Sequence, residues 1–391
     1  MWYKLKSQGL PQYCASDEKG STVEQLLEAP QETSVSAAER SPVWSCNEWD
    51  PLEEVIVGVA DGACVPPWDV SIASAVPEQH HAFFKANAGR AFPQERLDAA
   101  ARELDDFASL LELEGITVRR PDPRDHAEPY AAPGWRSTGL YDAMPRDVLL
   151  AVGDQILECP LAWRSRYFGL NAFRPLMKAY FRAGARWTAA PKPELSDALY
   201  DLAWREPAPG EPPAPVITEF EPVFDAADFI RCGRDIFGQL STVTNMFGVE
   251  WLRRQLGPEF TVHVLAFNDP HPMHIDATFM PVAPGKVVIN PERVPALPAM
   301  FKDWEALPAP RPAMPDHHPL YMTSKWINMN VLMLDPERMV VEAEDEPMIE
   351  AARRWGFEPV PVAFRNFNSL GGSFHCATLD VRRAGALRSY F

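Results

Sequence analysis

The chain has 391 residues, of which 46% are hydrophobic, 11% aromatic and 23% charged, a composition typical of a globular protein with enough apolar side chains for a core. Its 37 basic and 54 acidic residues give a formal net charge of -17, which repels phosphate backbones and anionic membrane surfaces and argues against nucleic acid as a partner. No apolar run approaches the roughly 18 residues of a membrane-spanning helix, so no membrane association is expected.

The six cysteines are scattered, without CxxC pairs or close spacing. This distribution predicts neither a disulfide framework nor a zinc ribbon and favours a reduced, cytoplasmic setting. The start of the chain lacks the basic segment and apolar core of a secretory signal. Residues 1–44, rich in Ser, Glu, Gln and Ala, are predicted to form a disordered acidic leader, and residues 45–391 a single domain.

The ordered part is expected to begin near Asn47. There NEWDPLEEVIVGVA combines a polar turn with an apolar, β-branched run that predicts a strand. Residues 93–115 then place apolar side chains three or four positions apart, between a proline at the start and a glycine at the end. This spacing predicts an amphipathic helix.

Two short apolar runs separated by a tight turn recur along the chain, and each pair predicts a β-hairpin. The four segments are VLLAVGDQILECP from Val148, DFIRCGRDIFGQL from Asp228, TFMPVAPGKVVINP from Thr278 and NVLMLDPERMVVEA from Asn330. Helical spacing appears between them at residues 173–184, 243–256 and 346–356. The later hairpins begin roughly 50 residues apart, which favours a repeated α/β unit that closes on itself, with an ordinary α+β domain as the alternative.

The first segment with chemical potential is FNDPHPMHIDATF, from Phe267 to Phe279. HIDATF is compatible with entry into a strand, where His274 and Asp276 would point to the same side. A histidine beside a carboxylate makes an acid–base or hydrogen-bonding pair. The alternative is a structural histidine that bonds a backbone carbonyl.

The second is FEPVFDAADFIRCGRD, from Phe220. Asp225 and Asp228 lie among apolar neighbours, so each carboxylate is expected to be partly desolvated and to need a partner. That partner is either a histidine or the backbone of a helix or turn that the carboxylate caps.

The third is NSLGGSFHCATLDVRR, from Asn368, in which His375 directly precedes Cys376. Two glycines before the pair allow a tight bend and a close approach of backbone to a ligand. A nearby histidine or a cationic substrate would lower the pKa of Cys376 and produce a nucleophilic thiolate, although most free cysteines are simply buried. A zinc site built from His274, Asp276, His375 and Cys376 is a further alternative, less suited to a sulfur that must stay free.

Several long segments together resemble the L-arginine:glycine amidinotransferase family, over residues 47–391. They are NEWDPLEEVIVG, TGLYDAMPRD, AWRSRYF, FDAADFIRCGRDIF, PMHIDATF, NPERV, SKWINMNVLMLD and NSLGGSFHCATLDVRR. The resemblance implies the guanidino-group-modifying (pentein) fold, a five-bladed α/β propeller of repeated ββαβ units with pseudo-fivefold symmetry around a central channel. It also suggests a homodimer, and it implies no cofactor and no metal.

The resemblance further implies a ping-pong reaction in which Cys376 attacks the guanidinium carbon of L-arginine. Ornithine leaves, and an incoming amine collects the amidino group from the cysteine. His274 would shuttle the proton with Asp225 as its partner, because the reaction must protonate a leaving amine and deprotonate an arriving one. Asp147 and Asp276 would bind the guanidinium nitrogens, since carboxylates match this planar cation.

The implied substrate subsite contains Arg293, which would bind the α-carboxylate, together with Met273, Thr323 and Ser324. Thr323 replaces a serine of glycine-using members, and His271 stands where those members carry an asparagine. Ser373 also replaces a glycine beside the nucleophile. The acceptor is therefore glycine or another amine, such as the ω-amine of lysine or a biosynthetic intermediate.

Three other functions stay open from the sequence. The same thiol chemistry with water as acceptor would give an arginine deiminase-like hydrolase that releases citrulline. A module that binds arginine without turnover has no need of a nucleophile. A metal-dependent hydrolase would lose its activity to chelators.

Overall fold

The computed structural model describes residues 41–208, 211 and 214–391. Its α-helices are α1 (Val70–Ala75), α2 (His81–Asn87), α3 (Gln94–Leu113), α4 (Pro145–Val148), α5 (Arg174–Arg182), α6 (Met246–Leu256), α7 (Glu346–Arg354) and α8 (Arg365–Asn368). Short 3-10 segments are Glu78–His80, Arg164–Arg166, Gly169–Phe173, Asp197–Leu199, Ala226–Asp228, Gly257–Glu259, Ile275–Ala277, Ala299–Phe301 and Lys325–Met329.

The strands are short, each two to six residues long. They are β1 (Leu52–Val57), β2 (Thr117–Arg119), β3 (Tyr130–Ala132), β4 (Trp135–Ser137), β5 (Leu149–Val152), β6 (Gln155–Glu158), β7 (Arg186–Ala189), β8 (Phe229–Cys232), β9 (Asp235–Gln239), β10 (Thr261–Leu265), β11 (Phe279–Ala283), β12 (Lys286–Ile289), β13 (Glu305–Pro308), β14 (Leu332–Met333), β15 (Arg338–Glu342), β16 (Glu358–Val362) and β17 (Thr378–Arg383).

In the described ranges these strands form five three-stranded sheets and one separate hairpin, β3-β4. The sheet orders are β17-β1-β2, β5-β6-β7, β8-β9-β10, β11-β12-β13 and β14-β15-β16. In each sheet the middle strand pairs antiparallel with one neighbour and parallel with the other. A parallel pair needs a crossover, and a helix supplies it in four of the sheets: α3, α5, α6 and α7.

The hairpin turns explain why the antiparallel pairs form where they do. Gly153 and Gly233 end β5 and β8 with φ values of 56° and 72°, in the left-handed region that glycine adopts without steric penalty. A side chain at Gly233 would also collide with the carbonyl of Arg388. The four hairpins predicted from the sequence are confirmed.

The longest helix, α3, packs one apolar face against the core. Leu97, Leu104 and Phe107 on this face are buried, and the buried carboxylate of Glu103 accepts the backbone N–H groups at the start of α8. The helix predicted over 93–115 is confirmed as α3, and those predicted over 173–184 and 346–356 as α5 and α7. The third, α6, begins at Met246, three residues after the predicted start, because Asn245 caps it through the backbone N–H of Gly248.

Strands β1 and β17 come from opposite ends of the described chain. They pair antiparallel, with Val55 opposite Asp380. Trp44 forms a separate, parallel bridge to β17 at Arg382: its backbone carbonyl accepts the N–H of Arg383 at 2.8 Å, and its indole N–H donates to the carbonyl of Gly385. Residues 41–44, which the sequence assigns to the leader, are thus part of this fold, with Val43 fully buried.

The rest of the predicted leader lies outside the described residues. The described residues belong to one compact unit, and their mixture of helix and short sheets is of the α/β type expected. No helix in the part of the chain that the structure describes is long and apolar enough to cross a membrane.

Candidate active site

Five buried polar residues occupy equivalent places, one for each of the five three-stranded sheets. Asp147, Asp225, Asp276, Asn330 and Cys376 each precede the first strand of a hairpin, or β17, by a few residues. Side chains at the start of several strands can meet only when those ends converge. Contacts between these residues show that they do.

Cys376 is 3% exposed, and Asn330 holds it from two sides. The Asn330 amide oxygen accepts the backbone N–H of Cys376 at 3.0 Å, and its amide nitrogen donates to Sγ at 3.2 Å. Burial raises the pKa of the Cys376 thiol to about 12, and the carboxylate of Asp276 adds to this effect, while the hydrogen bond with His274 lowers the pKa in part. Without a cationic ligand the sulfur is therefore protonated.

His274 lies between two carboxylates. Its Nε2 is 3.2 Å from Asp225 Oδ2, and its Nδ1 is 3.6 Å from Asp147 Oδ1. Burial alone would lower the pKa of His274, but the charge of Asp147 and the hydrogen bond to Asp225 outweigh burial and raise the pKa well above its ordinary value. The ring is thus a proton donor close to the thiol.

The backbone of His274 is strained. Its φ of 60° places a residue with a side chain in a region that glycine favours, immediately before the 3-10 segment Ile275–Ala277. Strain of this kind persists where the surrounding structure enforces it, commonly at functional sites. His274 and Asp276 therefore face the same site from a 3-10 turn and not from a strand, which begins only at Phe279. The strand expected over HIDATF is wrong for this reason.

Asp147 and Asp276 each have one carboxylate oxygen without a hydrogen bond among the described residues. Arg166 donates to Asp147 Oδ2 at 2.7 Å, and His375 Nδ1 lies 2.7 Å from Asp276 Oδ2. The Oδ1 atoms of both residues are buried and accept no such bond, although Asp147 Oδ1 faces the His274 ring at 3.6 Å. Buried carboxylate oxygens without a hydrogen bond are costly, so these two are suited to accept N–H groups of a bound cation.

Arg166 is a buried guanidinium that connects two of the acids. Besides Asp147 it lies 3.4 Å from Asp225 Oδ2, and its cationic head is 5.6 Å from the ring centre of Tyr141. The second acid predicted in this region, Asp228, has another role. Asp228 accepts hydrogen bonds from Ser241 and Thr244, so it stabilises the local turn and does not face the thiol.

A cavity of about 420 Å³ opens over the thiol. Its lining includes the thiol, the histidine and six of the seven residues that the family resemblance assigns to substrate binding: Cys376, His274, Asp276, Arg293, Met273, His271, Thr323 and Ser324. The seventh, Asp147, lies behind this lining, with its carboxylate close to His274 and Cys376. Acidic side chains at the same cavity are Glu78, Glu206 and Asp316. An acidic cavity attracts cationic ligands.

Arg293 and His271 already have partners in the cavity wall. Arg293 lies 3.0 Å from Asp269 Oδ2 and donates to Thr278 Oγ1 at 3.0 Å, which fixes its guanidinium at the cavity. His271 Nε2 lies 3.3 Å from Glu206 Oε1, and both side chains are about half exposed. His271 therefore belongs to the outer part of the cavity.

The zinc site suggested by the sequence is not assembled. Both ring nitrogens of His375 face carboxylate oxygens, so this residue is not available as a ligand. Among the described residues, the group whose ligand atoms are close enough to hold a metal consists of Asp147, His274 and Cys376, all within 4.8 Å of one another. The guanidinium of Arg166 beside Asp147 adds positive charge there, which disfavours a dication.

Sequence reasoning assigned no role to Asn330 or Arg166, although both lie in segments that carry the resemblance. The position of Asn330 directly before a predicted hairpin, like those of Asp147 and Asp225, is a signal that could have found it. Arg166 offers no comparable signal, since its contacts depend on how the sheets converge.

Comparisons with known proteins identify the family of this chain. A scan against protein-family models finds no match for the chain. The chain is 61% identical over 350 residues to the L-arginine:L-lysine amidinotransferase of Pseudomonas savastanoi pv. phaseolicola, covering 90% of this chain and 97% of that protein. It is 48% identical over 387 residues to the mitochondrial glycine amidinotransferase of Danio rerio, covering 96% of this chain and 91% of that protein.

Among solved structures, the SxtG amidinotransferase of the saxitoxin biosynthetic pathway from Microseira wollei superposes with a TM-score of 0.86 at 49% identity, covering 90% of this chain and 100% of that chain. The fold and the site thus define an enzyme that transfers a group from a guanidinium donor. The chain belongs to the amidinotransferase family, and it transfers the amidino group of arginine to an amine.

Proposed function

We propose that this enzyme moves the amidino group of L-arginine through a covalent amidino-cysteine on Cys376 to the ω-amine of lysine. One observation carries the mechanism: a buried thiol and a protonated His274 lie beside two buried carboxylate oxygens, Asp147 Oδ1 and Asp276 Oδ1, that accept no hydrogen bond from the described residues. A guanidinium group is planar and rich in N–H donors, so it satisfies both oxygens at once.

In the first half-reaction the arginine cation lowers the pKa of the thiol that it meets. Sulfur attacks the guanidinium carbon, a bond from carbon to sulfur forms, and the bond from carbon to the δ-nitrogen breaks. The protonated His274 donates its proton to that nitrogen and takes up the thiol proton in exchange, and neutral ornithine leaves behind a cationic amidino-cysteine. Asp225 keeps the His274 ring oriented for this transfer.

In the second half-reaction a neutral acceptor amine attacks the amidino carbon. The bond to sulfur breaks, and His274 returns one amine proton to the sulfur of Cys376. Lysine is ornithine with one more methylene group, so it can occupy the subsite that ornithine has left. Arg293 is suited to its α-carboxylate, and Glu206 at the same cavity is suited to its α-ammonium group.

The choice of lysine is supported by the L-arginine:L-lysine amidinotransferase, which is 61% identical, against 48% for the glycine enzyme. His271, where glycine-using members carry asparagine, points in the same direction. The five-bladed propeller is supported by the five sheets of one connectivity in the described ranges. A homodimer and a cytoplasmic location remain predictions.

The test is mass spectrometry of the protein and its products after incubation with L-arginine, first alone and then with equal concentrations of lysine and glycine. We expect an amidino adduct on Cys376 with ornithine release, and then amidination of lysine at a higher kcat/KM than glycine. Citrulline formed without an amine would favour the hydrolase instead. Preferential amidination of glycine would refute the acceptor while leaving the thiol mechanism in place.

A further inference from the structure

His375 directly precedes the nucleophile, and its ring contacts the same carboxylate oxygen, Asp276 Oδ2, that lies 3.7 Å from the Cys376 sulfur. It is 1% exposed and lies between two carboxylates, with Nδ1 2.7 Å from Asp276 Oδ2 and Nε2 3.2 Å from Glu48 Oε2. Neither the described reaction steps nor the cavity lining includes this ring. It nevertheless contacts the oxygen of Asp276 opposite the one left free for substrate.

The two carboxylates beside this ring are held in their ionised form. Burial would raise the pKa of Asp276 and of Glu48, but hydrogen bonds, including those to His375, and nearby cations outweigh burial and lower both. Ionised carboxylates only accept hydrogen bonds. The buried ring of His375 therefore joins two carboxylates, with one ring nitrogen at each of them.

The far side of this ring is anchored to a buried ion cluster. Arg231 donates to both oxygens of Glu48, through Nε at 2.8 Å and Nη2 at 2.5 Å, and also reaches Asp380 at 2.9 Å. Arg146 Nε donates to the backbone carbonyl of His375 at 3.2 Å. The ring is thus fixed through its side chain and its backbone at the same time.

We propose that His375 is a positioning residue, which holds Asp276 in the orientation that directs Oδ1 at the guanidinium of arginine and ties this carboxylate to the buried ion cluster. The inference rests on the proposed role of Asp276 in binding arginine. Without the His375 ring, the Asp276 carboxylate loses its 2.7 Å contact at Oδ2 and is free to rotate toward other partners. Arginine affinity should then fall although His375 touches no substrate.

Two conservative variants separate the two contacts of the ring. In His375→Asn the amide nitrogen reaches the place of Nδ1, so the donor to Asp276 is kept and that to Glu48 is lost. In His375→Gln the amide reaches the place of Nε2, so the donor to Glu48 is kept and that to Asp276 is lost. Each variant removes one hydrogen bond of the ring, so they are matched controls for each other.

Both variants are made in a Cys376→Ala background, and L-arginine binding is measured by calorimetry together with thermal unfolding. We expect His375→Gln to weaken binding by at least about tenfold and His375→Asn by less than about threefold, because a lost bond that orients a charged partner costs on the order of 1.5 kcal/mol or more. Their unfolding midpoints should be similar. Equal weakening by both variants, or none by His375→Gln, would overturn the inference alone.

Failure of the Cys376→Ala parent to bind arginine would overturn the proposed function and the inference with it.

Discussion

Asn330 and Cys376 are 46 residues apart in sequence, yet the amide of Asn330 spans both the backbone and the sulfur of Cys376. The amide oxygen accepts a backbone N–H at 3.0 Å, and the amide nitrogen donates to Sγ at 3.2 Å. Only an amide supplies an acceptor and a donor in this arrangement. The pair therefore fixes both the position of the nucleophile and the hydrogen bond available to its thiolate.

This pair gives the first prediction. Asn330→Asp keeps the acceptor for the backbone but replaces the donor to sulfur with a negative charge, so the thiolate is destabilised. We expect kcat/KM for arginine to fall at least about a hundredfold, since a like charge in contact and a lost charged hydrogen bond each cost on the order of 1.5–3 kcal/mol. Steady-state kinetics check this, with the unfolding midpoint as control. Activity within threefold of the parent would contradict it.

Removal of the nucleophile is the second prediction. Cys376→Ala should abolish ornithine release while the protein still folds and binds arginine, because the loss of one sulfur from a core costs about 1–2 kcal/mol. Product analysis and calorimetry measure the two properties on one sample. Residual transfer at the level of the parent would show that another group is the nucleophile.

The raised pKa of the Cys376 thiol gives the third prediction, in which one substitution speeds alkylation of the thiol and slows turnover of arginine. Burial and Asp276 raise the pKa of Cys376, to about 12, so the thiolate fraction of the free enzyme grows as pH rises toward that value. Asp276→Asn removes the negative charge, lowers the pKa of the thiol and should speed alkylation by iodoacetamide several-fold at a fixed pH near 8. The same variant should slow turnover of arginine. Slower alkylation would contradict the electrostatic argument.

The fourth prediction concerns the stability that the buried ion cluster of Arg231, Glu48 and Asp380 gives to the fold. Arg231→Met leaves Glu48 and Asp380 without their shared cation, and a buried charge left unpaired typically costs about 3–5 kcal/mol. Arg186→Met is the matched control, because Arg186 is paired with Asp154 at the surface, where such a pair contributes up to about 1 kcal/mol. Denaturant unfolding compares the two. Similar losses in both variants would contradict the assignment.

The same cluster has a pH dependence with a definite sign. Arginine neighbours outweigh burial and lower the pKa of Asp380 and, with His375, that of Glu48. These groups therefore stabilise the fold above the ordinary carboxylate pKa of about 4 and lose that contribution as the pH falls below it. The free energy of unfolding of the parent should fall more steeply between about pH 5 and 2 than that of Asp380→Asn.

The fifth prediction concerns which amine the enzyme prefers as acceptor. His271→Asn removes an imidazole that pairs with Glu206 in the outer part of the cavity, away from the thiol. The ratio of kcat/KM for lysine to that for glycine should change at least about tenfold, while the arginine KM changes less than about threefold. Kinetics over a panel of amines provide the measurement. An unchanged ratio would exclude His271 as a determinant of acceptor choice.

Local patterns were enough to predict the hairpins around Gly153 and Gly233, because turn chemistry and apolar alternation act over a few residues. They also marked His274, Asp225 and Cys376 as candidates. These three residues form one site only because the starts of strands from separate sheets converge, and no local pattern encodes that convergence. The resemblance to a family was needed to predict that they act together.

The sequence-based prediction that His274 and Asp276 lie in a strand is wrong for a specific reason. HIDATF has the composition of a strand, but the φ of 60° at His274 comes from tertiary contacts and not from propensity. Roles for Asn330 and Arg166 could be assigned only from their contacts in the folded structure, to Cys376 and to Asp147 respectively. The assignment of residues 41–44 to the leader failed for a similar reason, since the backbone of Trp44 finds its partner more than 300 positions away in β17.

The pairing of β1 with β17 also links the order of folding to the chemistry. Cys376 lies two residues before β17, and β17 pairs with β1, which comes more than 300 positions earlier in the chain. Such distant pairing is slow to form, since a long intervening chain must be ordered first. The surroundings of the nucleophile are therefore completed at the same step that closes this sheet, and a folding intermediate in which β1 and β17 have not yet paired is expected to be inactive.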